Sequence, residues 1–468
     1  IDGTYEGDLA AFAGARYRVG RESRAEFNEQ HAGVVYQDHE TRAFLPGTTG
    51  EGDKRIPAYT YSLCLTTDLA NSRIISSPPP EYDRRIYLNY IDDWKAGRFG
   101  PPRVMKDGVG HFGPFIGTVV RALSAAEIPN RKLDVNINPR VLGFPFGEEN
   151  YAYPDAGWVE REKISMRIRN MTLGLVYFLQ NDPDVPAEHR ELARRYHMAR
   201  DEFTDNDNFP WQLYVREARR IVGRYTMSEN DVILGPGLGR PRIHADSIAA
   251  GEYPIDSFPS RKREKGQDRV LEGYLFMLDN ITRPFQLPYR IMMPETVEGL
   301  LVPVAASTTH IAFSTVRLEP TWMALGQAAG VAAHIAITQG RKVSDVPVDT
   351  LQRLLLERGQ VLTYFKDIDR ADPAYAALQY YGTRGFFKDY YAHSRKPLDR
   401  GQAAEWLSMV KGGPVAMEDT GNLTRGEMRK YFSSPEREWR DPANRTIRPE
   451  DPVLRGEFCR AAYLQKTP

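Results

Sequence analysis

Residues 299–340 read GLLVPVAASTTHIAFSTVRLEPTWMALGQAAGVAAHIAITQG, and three parts follow one another in this stretch. Residues 300–306 are a nearly uninterrupted apolar run, long enough for one buried strand. Residues 307–317 are small and polar, a loop holding one histidine, His310, and one arginine, Arg317. From Glu319 to Thr338 the chain is rich in Ala, Leu and Met, with Pro320 where a first helical turn tolerates proline. A buried strand, a polar loop and a helix N-terminus in succession is how α/β proteins present a site to a ligand. The helix carries Gly326, Gly330 and Ala333, and a second small series at Ala324, Ala328 and Ala332. Such residues let a backbone approach a neighbour closely, at a cost of about 1 kcal/mol per glycine relative to alanine. On pattern alone, a tightly packed core helix without a ligand reads equally well.

Length and composition bound the rest. At 468 residues the chain exceeds one ordinary domain, and its 41% apolar content supplies a large core. The formal charge is zero, so no overall field favours nucleic acid or an anionic membrane. Apolar runs fall far short of the roughly 20 residues of a membrane span. Cys64 and Cys459 are too few for a disulfide framework or a thiolate metal site, and the nine histidines are dispersed rather than paired at metal-ligand spacing. Neither a Gly-x-Ser-x-Gly nucleophile turn nor a phosphate-binding Walker loop is present.

The first residues, IDGTYEGDLAAFAGARYRVG, place Gly3 and Thr4 in a turn that offers close backbone approach and a hydroxyl, and Glu6-Gly7-Asp8 looks like a helix start. Together the two stretches resemble FAD-dependent oxidoreductases related to the glutathione-reductase and fumarate-reductase flavoproteins, in particular a bacterial family of FAD-dependent oxidoreductases. The resemblance rests on Asp2, Gly3, Thr4, Gly7, Asp8, Leu9 and Gly14 at the N-terminus, and on Ser307, His310, Arg317, Glu319, Pro320, Gly326, Gln327, Ala328, Ala329, Gly330, Ala332 and Ala333 in the later stretch. Gly3 and Tyr5 stand where that family usually has Ala and often Gly.

FAD is the cofactor the resemblance implies, with Gly3, Thr4, Gly7, Asp8, Ser307, Glu319, Pro320, Thr321, Met323 and Gln327 on its side of the site. It further implies that the helix near Pro320 points its N-terminus at the pyrimidine end of the isoalloxazine. His310 is then the candidate for contact with substrate or flavin, and Arg317 for holding either. The Gly-x-Gly-x-x-Gly turn that holds the pyrophosphate in such proteins is expected before Ile1. Gly108-Val-Gly110-His-Phe-Gly113 has the spacing, but prolines and charge precede it, so no buried strand feeds it.

Between these stretches the chain reads as a mixed insertion rich in aromatics and prolines. Residues 59–67 are strand-like, and 158–180 form a helix with residues 164, 168, 171, 175 and 178 on one face. A second helix follows Pro186. Lys132-Leu-Asp134-Val-Asn136 resembles a turn of the same family, and residues 210–220, PWQLYVREARR, resemble its substrate-domain signature closely. Arg216, Arg219 and Arg220 on one helical segment could clamp a carboxylate or a sugar, Arg216 being the catalytic candidate. Structural pairing with Glu217, Asp201 and Glu202 is the plainer reading for Arg219 and Arg220.

After Gly340 a repeat appears: Leu398-Asp-Arg400-Gly401-Gln, Leu423-Thr-Arg425-Gly426-Glu427 and Val453-Leu-Arg455-Gly456-Glu457, each followed by a helix-like run. Thr424 and Glu427 have capping-box spacing. With Phe365-Lys-Asp367 and the aromatic run at 374–390, this part resembles S-layer homology repeats, which implies a cell-envelope polysaccharide partner and a periplasmic or cell-surface setting.

The expected fold is therefore α/β: the C-terminal portion of an FAD-binding Rossmann-like domain (1–20 and 291–344), a large inserted α+β substrate domain (21–290) and a small α-helical repeat domain (345–468). Its expected function is FAD-dependent transfer of hydride or electrons to or from a small organic molecule. The alternative is an incomplete or non-catalytic flavoprotein-like chain acting as an envelope-binding module.

Overall fold

The computed structural model describes residues 1–38, 40–97, 123–137, 146–264, 270–417, 420–432 and 448–465. The Gly108–Gly113 spacing lies outside the described residues. Helices and strands are mixed, which is compatible with an α/β class, and all the paired strands named among the described residues run antiparallel.

The largest sheet has five strands, in the order Ser72–Arg73, His197–Ala199, Leu63–Thr66, Lys132–Ile137 and Leu123–Ile128. Lys132–Ile137 is thus a strand rather than the expected turn. Leu133 and Val135 alternate with polar neighbours and pair with Leu65 and Leu63, so one face of the ladder is apolar. That face shares a core with the Trp158–Asn181 helix, whose Ile164, Ile168, Met171, Leu175 and Phe178 are all buried, as the helical spacing predicts. Gly174 lies inside this helix because the Tyr87 hydroxyl, which donates to Met171 O at 3.0 Å, would stand 2.2 Å from any Cβ there.

A second core forms around the Glu319–Thr338 helix, whose bounds match the sequence reading. Leu325, Ala328, Ala329, Ala332 and Ile335 are buried, while Gly326 and Gly330 face open space. The alanine series is therefore the packed side and the glycine series the uncovered one. This helix lies against the strand Ser247–Gly251, which pairs antiparallel with Phe285–Pro288, and against the helix Val348–Glu357. Gln360 pins the arrangement by donating to Ile248 O (3.0 Å) and Ala324 O (2.9 Å).

Two expectations for the central stretch are corrected. Residues 300–306 are buried but form no strand; their backbone is bonded piecemeal, Leu301 O accepting from Asp2 N, Val302 N donating to Met292 O, and Ala305 O accepting from Ile221 N. Pro303 interrupts the run and has no amide to give a ladder. The polar segment after it is not a loop, because Thr309 caps a helix, His310–Val316, by accepting from Ala312 N. Likewise residues 212–219 are irregular rather than helical and end in the two-residue strand Arg220–Ile221, which pairs with Tyr17–Arg18.

A third core gathers residues 365–462. Helices Arg400–Lys411, Arg425–Met428 and Arg455–Gln465 start at the arginines of the three repeated motifs. Their preceding residues close a ring of backbone hydrogen bonds: Leu398 N to Val453 O, Val453 N to Leu423 O, and Leu423 N to Leu398 O, at 2.8, 2.8 and 2.9 Å. The three repeats are thus arranged around one pseudo-threefold centre, with Leu398, Leu423 and Val453 fully buried at it. Helix Val348–Glu357 contributes Leu351 and Leu355 to the second core rather than to this one.

Candidate functional site

Asp2 organises the N-terminal turn. Its amide donates to Leu301 O, and its buried carboxylate accepts from Thr4 N (3.1 Å), Thr4 Oγ1 (2.7 Å) and Ala10 N (2.9 Å). Thr4 Oγ1 in turn accepts from Gly7 N at 3.1 Å. Gly7 has φ +67° and starts the helix Asp8–Phe12 with its Cα against Ala305, a backbone and a space that only glycine fits without strain.

Tyr5 leaves this turn and meets Trp322 edge-on, 5.0 Å between ring centroids, so the turn and the start of the Glu319–Thr338 helix form one surface. Burial raises the Tyr5 pKa, and the nearby Glu319 and Tyr214 raise it further. Gly3, Thr4, Pro320, Met323 and Gln327 are exposed on this surface, Glu319 is half-buried, and Thr321 is buried. Leu318, the N-cap, offers no side-chain acceptor, which leaves the first amides of a 20-residue helix uncapped by its own side chains.

Behind the surface stand two buried arginines. Arg317 donates to the Tyr214 hydroxyl at 3.0 Å and to Asp256 O and Oδ2 at 3.1 and 3.3 Å. Burial pushes the Asp256 carboxyl up, only partly offset by Arg317 and by the Tyr253 hydroxyl that donates to it at 3.0 Å. Among the described residues Arg216 is held by neutral oxygens, Ala58 O (3.0 Å), Thr60 Oγ1 (2.9 Å) and Asn136 Oδ1 (3.4 Å), with its guanidinium 3.6 Å from the centre of the Phe258 ring. Burial pushes its pKa down, and the positive charge of Arg317 adds to the effect.

Other candidates lie away from this surface. His310 is 3% exposed, and both ring nitrogens are engaged, Nδ1 with Glu217 Oε2 at 2.7 Å and Nε2 with Ser257 Oγ at 3.0 Å. Ser307 is buried, its hydroxyl accepting from Gly223 N at 2.9 Å. Asp8 binds Arg161 through both oxygens (2.6 and 2.9 Å) and Arg219 (2.6 Å), fastening the insertion helix to the N-terminus. Burial alone would raise the Asp8 pKa; these two guanidiniums outweigh it and hold the carboxyl below the usual range. Arg220 sits between Glu22 (2.8 Å) and Glu217 (3.0 Å), while Asp201 and Glu202, the other expected partners, pair with Lys132 instead.

Sequence reasoning passed over Tyr253, Asp256 and Phe258, which sit in an irregular stretch without periodicity. Tyr5 and Tyr214 were visible, the first as a departure from the resembled pattern and the second inside a quoted motif. Neither carries a signal of its role until the Arg317 and Trp322 contacts are known.

The family model for FAD dependent oxidoreductases matches residues 1–355. The chain belongs to this family. FAD is accordingly its cofactor, and oxidation and reduction its general chemistry. Compared with curated proteins and with solved structures, the chain gives no match. The residues present fit FAD: Tyr5 packs the N-terminal turn against Trp322 in the first turns of the Glu319–Thr338 helix, and a Cβ built on Gly3 or on Gly326 would meet nothing within 4 Å, so neither backbone is covered. The uncapped N-terminus of the Glu319–Thr338 helix beside it favours negative charge. Among the described residues no group of three or more His, Cys, Asp and Glu could hold a metal, and no helix is long and apolar enough to cross a membrane.

Proposed function

We propose that this flavoprotein transfers hydride or electrons between FAD and a small organic substrate bound on the Tyr5–Tyr214 side of the surface described above. Bound FAD supplies the redox chemistry. Gly3 and Thr4 on one side, and Glu319, Pro320, Met323 and Gln327 on the other, would hold the reactive end of the cofactor, and the helix N-terminus would favour added negative charge there.

The observation that carries the reading is the Arg317–Tyr214 pair at 3.0 Å, reaching from the buried side to the half-buried hydroxyl. With its oxygen accepting from the guanidinium, the hydroxyl keeps its own proton to donate toward a substrate. Asp256 fixes Arg317, and Phe258 fills the space beside Arg216 and Arg317 and excludes water. His310 works from behind: the Glu217–His310–Ser257 chain holds the helix that ends at Arg317.

Anaerobic single-turnover reduction of the FAD-loaded protein tests this, with candidate small organic substrates as reductants. Tyr214→Phe is expected to bind FAD as the parent does and to reduce it about 10²-fold more slowly or worse. Reduction at the parent rate would remove Tyr214 from the chemistry, and absence of flavin bands with saturating FAD would remove the cofactor site.

A further inference from the structure

Four glutamates are buried where the N-terminal segment meets the helix His310–Val316: Glu22 and Glu29 on that segment, and Glu217 and Glu229 from later in the chain. Three of them have a guanidinium or an imidazole. Glu22 and Glu217 share Arg220, at 2.8 and 3.0 Å, and Glu217 also meets His310 Nδ1 at 2.7 Å. Glu229 accepts from the His31 amide at 3.0 Å and meets His31 Nδ1 at 2.6 Å. Glu29, 2% exposed, is bonded to neither kind of group among the described residues. Its Oε1 accepts from the Thr309 hydroxyl at 2.6 Å and from the Glu229 amide at 2.7 Å, and its Oε2 has no hydrogen-bond partner.

The charges that reach Glu29 are mixed. Glu22 and Glu229 are like charges, and Arg220 is an opposite one already bonded to two other carboxylates. Arg24 gives Glu29 N only its backbone carbonyl, and its guanidinium lies over the Phe44 ring. A carboxyl so enclosed holds its proton to about 7, burial being the main cause. Its two contacts also sit at a mechanical point of the fold. Thr309 caps His310–Val316, its hydroxyl accepting from Ala312 N while donating to Glu29, and Glu22 Oε2 accepts from His310 N at 2.8 Å. Residues 22–31 therefore fasten the start of the helix whose end carries Arg317, the partner of Tyr214.

We propose that Glu29 is a proton-controlled latch: neutral, it fastens residues 22–31 to the start of the helix His310–Val316, and ionised, it favours a state in which the two part and its carboxylate reaches water. Opening loosens the helix that positions Arg317 against Tyr214. In water the Glu29 carboxyl titrates near 4.5 and in the closed form near 7, so the closed form binds more protons between these values. Its advantage therefore falls as pH rises through that window and levels off above it. The latch itself needs no bound flavin; only its consequence at Tyr214 rests on the redox reading of that residue.

Amide hydrogen exchange of the full chain, corrected for the intrinsic rate at each pH, tests it. Amides of residues 22–31 and 310–317 are expected to exchange through an opening of their own, faster than those of the Trp158–Asn181 helix. Their protection is expected to drop about tenfold or more between about pH 5 and about pH 7, with little further change to about pH 8. Glu29→Gln, neutral throughout, is expected to keep at about pH 7 the protection it has at about pH 5. Protection equal to that of Trp158–Asn181 at every pH would show that the segments part only on global unfolding and would overturn the latch. Protection independent of pH would overturn it too, and both outcomes are read on the parent alone, whether or not the variant folds. An unchanged pH dependence in Glu29→Gln would move the proton to another group, His31 and His310 included, and overturn the assignment to Glu29.

Discussion

Arginine is used in two ways in this molecule, and the difference separates its two ends. In the segments around the Glu319–Thr338 helix, buried guanidiniums bridge residues far apart in sequence: Arg161 and Arg219 to Asp8, Arg220 to Glu22, Arg21 to Glu272. In residues 398–457 the same bond joins neighbouring repeats and recurs with the motif, partly exposed on both sides at Arg400–Glu427 and on the arginine side at Arg425–Glu457. The first kind closes large loops, and its removal strands charge in a dry interior. The second trims an arrangement that the backbone ring at Leu398, Leu423 and Val453 and the core behind it already hold. Burial, rather than the pairing itself, decides what an ion pair contributes.

The largest effect is expected where a long-range pair is broken. Arg220→Met leaves Glu22 and Glu217 buried without their cation, and a loss of about 3–5 kcal/mol in chemical denaturation is expected. A loss below 1 kcal/mol would erase the contrast between the two regions.

Next comes a pH effect in the same network. Burial raises the Glu29 carboxyl from 4.5 to about 7, the hydrogen bonds from Thr309 and the Glu229 amide only partly opposing it. The folded protein then binds more protons than the unfolded chain between these values, so stability falls as pH rises from about 4.5 to about 7 and levels off above. The span corresponds to at most about 3 kcal/mol. Glu29→Gln should flatten this slope in denaturation curves taken across that window; an unchanged slope would assign it to another group.

A smaller, purely steric effect is expected at Gly174. A Cβ there meets the Tyr87 hydroxyl, and Gly174→Ala should cost about 1–3 kcal/mol. Adding Tyr87→Phe removes the obstructing oxygen, so the double variant should recover part of that loss; no recovery would place the obstruction elsewhere.

The smallest effect is expected in the repeat unit. Glu427 accepts from Thr424 N and Oγ1 at 2.9 and 3.0 Å and receives Arg400, and Glu427→Ala should cost about 1 kcal/mol in thermal denaturation. A cost matching that of Arg220→Met would show that the ring depends on its ion pairs after all.

Much of the local structure was legible in the residues. The helix Glu319–Thr338, the buried face of Trp158–Asn181 and the capping box at Thr424 follow from periodicity, proline placement and cap chemistry, all short-range effects. Where those signals conflict or are missing, the reading failed. An apolar run looks alike as a strand or as buried irregular chain, and residues 300–306 are the second because Pro303 and their scattered partners give no ladder. Thr309 looks like a loop residue until its hydroxyl is seen capping His310–Val316.

The sequence by itself determined the family, the FAD cofactor and the three-motif repeat, because each is carried by ordered residues close together along the chain. Only the tertiary structure decided which side of the central helix is packed, which arginines are spent on structure, and that Arg317 meets Tyr214 and Tyr5 meets Trp322. Those outcomes depend on burial and on partners up to hundreds of residues away, and no local pattern encodes either.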